Sequence, residues 1–522
     1  MKFPVIEFIR LLFGRFRRLL PIMLALSAFP AVEDTYGQTR EAIRTTVAPD
    51  PMFETIRAHI LERVESGEIP SMAVAVSRRG EIIWEEAFGW ANRESRIPAT
   101  PETVYPIGSL SKSITATGIM ILVERGVIGL DDPVGSFLPE GALTVYEGER
   151  EAVTIRRVLH MTAGIPHGWA TYGNVFDPPE INEYLADAGV VVFPPGSEEL
   201  YSNNAYGVLE AVISGATGRD FDEFIESEVF EPLGMPSSRA ALEPDLVGVA
   251  ASRYGTDQSR LPYDQYQFIP SGGAGMYASV HDLVRYGMFH LKSPAPDQDP
   301  VLSDQNLDQM HFATDPDDLD GLMAMGWGSV ELDNGRRWLL TNGSIGGANS
   351  MLTLLPDEML AVAVLTNISS SSLADETAVG IADVVSAGFA EEDGRIIGAY
   401  EEAHALRPFE PSASLVSKWR GALMSRGDEV LIVMSVQSDG IVTVQLADQA
   451  DIRIDEMKAL GDQIEGSFRG RIAGHPHFGQ DHGMSVTLRH DDGRLYGFLT
   501  SVTETQFGSV STPFYVGLVK QE

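Results

Sequence analysis

The chain has 522 residues, about three units at roughly 150 residues per domain. Hydrophobic residues make up 44% and charged residues 21%, which excludes a chain disordered throughout. Asp and Glu total 74 against 38 Lys and Arg, and a net charge of −36 argues against nucleic acid as a partner; cysteine is absent, which excludes disulfides, thiolate metal sites and a Cys nucleophile. Only Lys2, Lys112, Lys292, Lys418, Lys458 and Lys520 are lysines. Acid excess with few lysines suits a salt-tolerant surface and equally an ordinary acidic protein.

Residues 1–18 carry Lys2, Arg10, Arg15, Arg17 and Arg18 against Glu7, and 19–32 are free of charge. That stretch is short for a membrane span and fits the core of an export signal. Ala25-Leu26-Ser27 and Thr35-Tyr36-Gly37 are both acceptable cleavage sites, so 1–37 is assigned as a signal peptide or, if uncleaved, an N-terminal anchor. The expectation is an exported protein, periplasmic or extracellular, that meets the inner membrane only through this segment.

Residues 52–68 predict an amphipathic helix, and 71–76 and 81–88 predict strands joined at Arg78-Arg79-Gly80. Ser109-Leu110-Ser111-Lys112 comes next. A Ser and a Lys three residues apart share one helix face. Residues 113–123 hold no charge, so the helix that follows is buried and Lys112 lies at its start. A partly desolvated ammonium drops from about 10.4 and becomes a better proton acceptor. Ser109 at the helix N-terminus feels the dipole, and Gly108 before it gives backbone access. Taken alone, this spacing also arises by chance.

Tyr201-Ser202-Asn203 follows Pro194-Pro195-Gly196 and opens a helix at 204–214. A phenol beside an ammonium can relay a proton, and the Asn amide can orient Lys and substrate. Tyr172-Gly173-Asn174 has the same spacing, but Tyr201 is preferred because it leads into a helix. Strand signals return at 325–332, 337–341, 351–355 and 360–365, followed by a helix at 373–389. Among them lies Thr341-Asn342-Gly343-Ser344-Ile345-Gly346-Gly347, either a plain Gly-rich hairpin or a strand whose backbone can approach a substrate closely. The early and late strands predict one antiparallel sheet built from both ends of 52–390, with helices packed on it. Polar, Pro-containing residues 391–413 predict a linker. From 414 to 522, strands at 429–436, 441–446, 484–489, 494–500 and 515–519, with turns at Asp439-Gly440 and Asp492-Gly493, predict a separate small all-β barrel or sandwich.

Ser109/Lys112, Tyr201/Asn203 and Thr341–Gly343 resemble, in order and spacing, the three motifs of the serine β-lactamase and penicillin-binding-protein superfamily. The branch of class C β-lactamases, family VIII esterases and D-aminopeptidase-like enzymes is the most similar. Val158-Leu159-His160-Met161-Thr162-Ala163-Gly164-Ile165, Val229-Phe230-Glu231-Pro232-Leu233-Gly234-Met235 and Pro270-Ser271-Gly272-Gly273-Ala274-Gly275 resemble that branch too. The tail, with Trp419-Arg420-Gly421, is similar to the lipocalin-like domain of some members. The resemblance implies an α+β fold, an antiparallel sheet flanked by helices plus an all-helical subdomain.

It also implies a mechanism. Ser109 attacks an acyl carbonyl, Lys112 and Tyr201 handle its proton, and Asn203, Thr341, Asn342 and Gly343 position the substrate. The backbone N–H groups of Ser109 and Ser344 form the oxyanion hole. No metal or other cofactor is implied, and the partner is a small-molecule or peptide substrate: a β-lactam, a peptide or a carboxylic ester. The third motif of this superfamily usually begins with Lys or His, and here Thr341 stands there. The lost cation disfavours substrates recognised through a carboxylate. The competing expectation is a non-catalytic member that binds a cell-wall ligand or partner.

Other chemistry fares worse. Neither G-x-S-x-G nor H-E-x-x-H occurs. His475, Pro476, His477 and His482 near Asp481 suit a solvated loop better than a metal. Asp315, Asp317, Asp318 and Asp320 before Gly321 hint at Ca²⁺, but Leu319 breaks the spacing and a surface loop fits better. His160 and His167 flank Gly164 and are expected to serve local structure.

Overall fold

The computed structural model describes residues 42–521 except 174–177, 262–264, 313–322, 333–334, 371, 426–427, 473–480, 492 and 506–507. Residues 1–37, expected to be an export signal or anchor, Asn174, the acidic stretch 315–321, His475, Pro476, His477 and the turn residue Asp492 lie outside the described residues.

The described chain enters through strand β1 (Arg44–Val47) and helix α1 (Glu54–Glu65). Asp50 accepts the Met52 N–H at 3.0 Å and Pro51 follows it, so a side-chain cap and a residue needing no donor fix the entry to α1. Strands β2 (Ser71–Arg78) and β3 (Glu81–Asn92) form the expected hairpin. Helix α2 (Ser111–Glu124) is buried from Ser111 to Leu122, as an uncharged helix must be. Strand β4 (Trp169–Gly173), helix α3 (Asn203–Thr217), strand β5 (Tyr266–Ile269), the one-turn helix α4 (Ser271–Ala274) and helix α5 (Val280–His290) fill the middle. Strands β6 (Gly328–Glu331), β7 (Arg337–Ile345), β8 (Ala348–Leu355) and β9 (Leu360–Thr366) then precede helices α6 (Leu373–Val385) and α7 (Phe389–Ala403).

The main sheet runs β1-β3-β2-β9-β8-β7-β6, every neighbour antiparallel. Both ends of the segment therefore meet at β2–β9, as the early and late strand signals predict. Leu352, Leu354 and Ala361 pack against α5 at Gly287, which gives the sheet a helical face. Thr341 pairs with Leu352 and Gly343 with Ser350, so Thr341 and Gly343 share that face while Asn342 points to the other.

The linker expectation needs correction. Residues 389–403 are helical, and Phe389, Ile397 and Tyr400 join the main hydrophobic core. The many acidic residues of α7 give the stretch a linker-like composition, although Phe389, Ile397 and Tyr400 recur on one helical face and pack into the core.

The tail comprises β10 (Ser417–Ser425), β11 (Asp428–Val436), β12 (Val442–Leu446), β13 (Asp455–Leu460), β14 (Gln463–Gly470), β15 (His482–Asp491), β16 (Arg494–Thr505) and β17 (Gly508–Lys520). Its order is β13-β14-β15-β16-β17-β10-β11-β12, with short strands at Arg407–Pro408 and Ile452–Arg453 on the two edges. Among the described residues those edges do not pair, so the tail is a curled half-barrel around its own core, centred on Trp419 and Phe514. Nor is it separate. β17 pairs with β4 of the first unit, and β4 pairs with β5. Phe498 packs on Val190, Val192, Phe193 and Leu200, and Glu147 accepts from Arg494 at 2.6 Å and from the Tyr515 hydroxyl at 2.5 Å.

Candidate active site

Local backbone geometry sets the nucleophile first. Gly108 has φ +55°, a left-handed turn favouring glycine, and a Cβ there would lie 3.2 Å from Gly343 Cα and Ser344 N. The chain then makes a 3₁₀ turn (Gly108–Leu110) and enters α2, which leaves Ser109 half-buried at the entrance and Lys112 inside the first turn.

The second motif arrives on α3. Ser202 caps that helix by accepting the Ala205 N–H at 2.9 Å, and its own hydroxyl donates to the Pro166 carbonyl at 3.0 Å. The cap fixes Tyr201 just outside the helix and Asn203 as its first residue. Both meet Lys112. Lys112 Nζ lies 2.8 Å from the Tyr201 hydroxyl, 2.5 Å from Asn203 Oδ1, 2.7 Å from the Gly273 carbonyl oxygen and 3.4 Å from Ser109 Oγ. Tyr201 and Ser109 are hydrogen-bonded directly through their hydroxyls. Tyr172, from the competing pattern, lies on β4, whereas Tyr201 meets the lysine.

Burial holds the Lys112 amine well below its ordinary range. The oxygens of Asn203 and Gly273 can only accept, so they take two N–H bonds. A neutral amine then has one lone pair left, which can accept the Ser109 proton, while the Tyr201 hydroxyl donates to Ser109 Oγ. That arrangement can withdraw the serine proton and pass it through the phenol.

The third motif splits by face. Gly343 lies so close to the turn before Ser109 that a Cβ there would sit 1.8 Å from the Ile107 carbonyl oxygen and 2.8 Å from Ser109 N. The Ser350 hydroxyl, opposite Gly343, donates to that same Ile107 carbonyl at 2.7 Å. The backbone at Gly343–Ser344 therefore runs beside the Ser109 amide, where two N–H donors can meet one oxyanion. Thr341 is buried on the same sheet face. Asn342 is not: its amide hydrogen-bonds Asp375 of α6, whose carboxyl burial pushes well above the usual range. The expectation that Asn342 positions substrate is corrected accordingly, because the period-two alternation of a strand turns it to the opposite face.

The sequence also missed contributors. Gly273 supplies an acceptor for Lys112, a role that its Gly-rich stretch does not signal in the sequence. His160 Nδ1 lies 3.1 Å from the Met323 carbonyl, a contact 163 residues away along the chain where a local role is expected. His167 reaches the site: its Nδ1 accepts the Asn203 N–H at 3.2 Å, and its ring lies 5.6 Å from that of Tyr201 and 5.2 Å from that of Trp169. Burial drives its pKa down to about 3, so the imidazole is neutral. A lone His in a loop carries no spacing that could have announced this.

A family model described as Beta-lactamase matches residues 56–386. "Protein flp" of Staphylococcus aureus (strain MRSA252) is 24% identical over 335 residues, 63% of this chain and 64% of that protein, so the match spans less than two thirds of the relative. The octameric penicillin-binding protein homologue from Pyrococcus abyssi shares the fold with a TM-score of 0.54 at 21% identity, over 88% of this chain and 99% of that one. EstCE1, a hydrolase with promiscuous acyltransferase activity, shares it with a TM-score of 0.52 at 23% identity, over 64% of this chain and 98% of that one.

Proposed function

From the premise that this chain belongs to the Beta-lactamase family, we propose that it is an exported serine hydrolase that cleaves an ester or amide through an acyl-enzyme on Ser109. The observation that carries the reading is the hydrogen-bonded group of Ser109, Lys112 and Tyr201, with Lys112 tethered by two carbonyl acceptors. Lys112 accepts the Ser109 proton as Oγ attacks the acyl carbon, Tyr201 returns a proton to the leaving group, and water then releases the acyl chain. The Ser109 and Ser344 amides hold the oxyanion.

The test is pre-steady-state hydrolysis of an activated short-chain ester. A burst near one equivalent of enzyme is expected, with the acyl mass mapping to the peptide that contains Ser109. A folded chain with neither burst nor adduct would overturn the reading in favour of a ligand-binding protein.

The substrate class we propose is a neutral ester or amide. Thr341 supplies no cation, Lys112 is committed to its own tethers, and Arg253 donates to the Gly346 carbonyl. Thr341→His or Thr341→Lys is therefore expected to raise the kcat/KM ratio of carboxylate-bearing to neutral esters by roughly tenfold, the scale of about 1.4 kcal/mol. An unchanged ratio would refute this account of Thr341.

A further inference from the structure

Glu210 is a buried carboxylate that the mechanism above does not use. It lies on α3 seven residues after Asn203, two helical turns along the same face. One face of α3 thus presents Asn203 to Lys112 and Glu210 to the one-turn helix α4. There Glu210 Oε2 accepts the Gly272 N–H at 2.8 Å. The Gly272 carbonyl is held from the other side by the Thr115 hydroxyl of α2 at 2.9 Å. The next carbonyl along, that of Gly273, is the acceptor of Lys112 Nζ at 2.7 Å.

No cation pairs with Glu210 among the described residues. The charged groups that bear on it are Asp222, from the helix Phe221–Ile225, and Glu180, at the N-cap position of the helix Ile181–Ala188, and the Tyr184 phenol of that same helix is a further titratable neighbour; α2 and α4 meet this turn through the Thr115 hydroxyl and the Gly272 N–H. Burial first, and then these two acids, push its carboxyl up to about 8, while the Gly272 and Ser271 N–H groups pull the other way. A group this costly is poorly explained by packing, since an apolar side chain would fill the space with no desolvation penalty.

We propose that Glu210 is a positioning residue for Lys112: by gripping the Gly272 N–H it fixes the Gly273 carbonyl to which the amine is tethered, and so sets the direction in which Lys112 faces Ser109. The proposal rests on the reading of Lys112 as the proton acceptor. Glu210 touches neither nucleophile nor substrate, so its effect belongs in kcat and not in KM. The ionised carboxylate grips an N–H more strongly than the neutral acid, so activity rises as Glu210 loses its proton near pH 8.

Two variants separate positioning from mere structure. Glu210→Ala removes the grip, and kcat is expected to fall by roughly 10- to 100-fold with KM changed less than about threefold, as for a misplaced catalytic group. Glu210→Gln keeps an acceptor and abolishes titration, so kcat is expected to recover to within a few-fold while the rise near pH 8 disappears. A second readout is independent of turnover. With only six lysines, side-chain ¹³C NMR resolves Lys112 by its absence in Lys112→Met. Its resonance and titration midpoint are expected to move in folded Glu210→Ala, by about half a pH unit or more. An unmoved Lys112 in folded Glu210→Ala would overturn the proposal whether or not the chain turns over substrate. A moved Lys112 in a chain that never forms an acyl adduct would uphold the positioning and overturn only the hydrolase reading.

Discussion

Ser109→Ala is expected to lower kcat/KM for an activated ester by about 10⁴-fold or more, while shifting the melting temperature by no more than about two degrees. The reason lies in the geometry. Ser109 is half-buried at the mouth of α2, and its loss removes one hydroxyl that Tyr201 and Lys112 both touch without opening a cavity in the core. Lys112→Met is expected to cost activity on the same scale, and the double variant no more than the single ones, because nucleophile and base act as one unit. Losses that simply multiply would show that the two residues act separately.

The Lys112 variant has a second signature. Burial depresses the folded-state pKa of the amine while the unfolded chain keeps about 10.4. Between those two values the unfolded state binds the extra proton. Stability therefore rises with pH across that window, by up to about 1.4 kcal/mol per pH unit, and levels off above about 10.4. Lys112→Met should lack this component. Urea melts from pH 7 to pH 10 measure it, and identical slopes in the two proteins would mean that Lys112 is charged in the fold.

Gly343→Ala is expected to lower kcat by about 10²- to 10³-fold, the range seen when one oxyanion donor is lost. A Cβ at this position would overlap the Ile107 carbonyl oxygen at 1.8 Å and crowd Ser109 N at 2.8 Å, all of it backbone that cannot rotate away. β7 must then retreat from the turn carrying Ser109, and the Ser344 amide retreats with it. Gly346→Ala is the control. A Cβ there meets nothing nearer than Arg253 Nη1 at 3.9 Å, so its kcat should stay within about twofold of wild type. Circular dichroism and melting temperatures show that folded material is compared. A folded Gly343→Ala protein with wild-type kcat would remove the Ser344 amide from the oxyanion hole.

Much of this site could be read in the chain. The Ser109-to-Lys112 spacing places both groups on one helical turn, and the uncharged run behind it buries the lysine, because an apolar helix has nowhere else to go. Ser202 and the helix after it single out Tyr201 over Tyr172, and Lys112 does meet Tyr201. The early strand signals of β2 and β3 and the late ones of β8 and β9 predict a sheet whose two halves come from opposite ends of the first unit.

These are local properties. Helix face, strand face, caps and burial follow from neighbours in sequence, so the sequence by itself determined them. Tertiary structure alone decided the rest. Gly273, on the one-turn helix α4, and His167, in a distant loop, reach Lys112 and Asn203, and no spacing links them. The face of β7 that turns Asn342 toward Asp375 depends on which residue opposes Thr341, a matter of register with β8. Helix α7 is held by packing that its acidic, linker-like composition does not announce. β4 joins the tail to the first unit only because β17 comes to lie beside it, 338 residues away along the chain where Thr171 meets Ser509. Contacts this distant come from the folded arrangement as a whole, and a single sequence records its local preferences but not the pairings that closing such long loops selects.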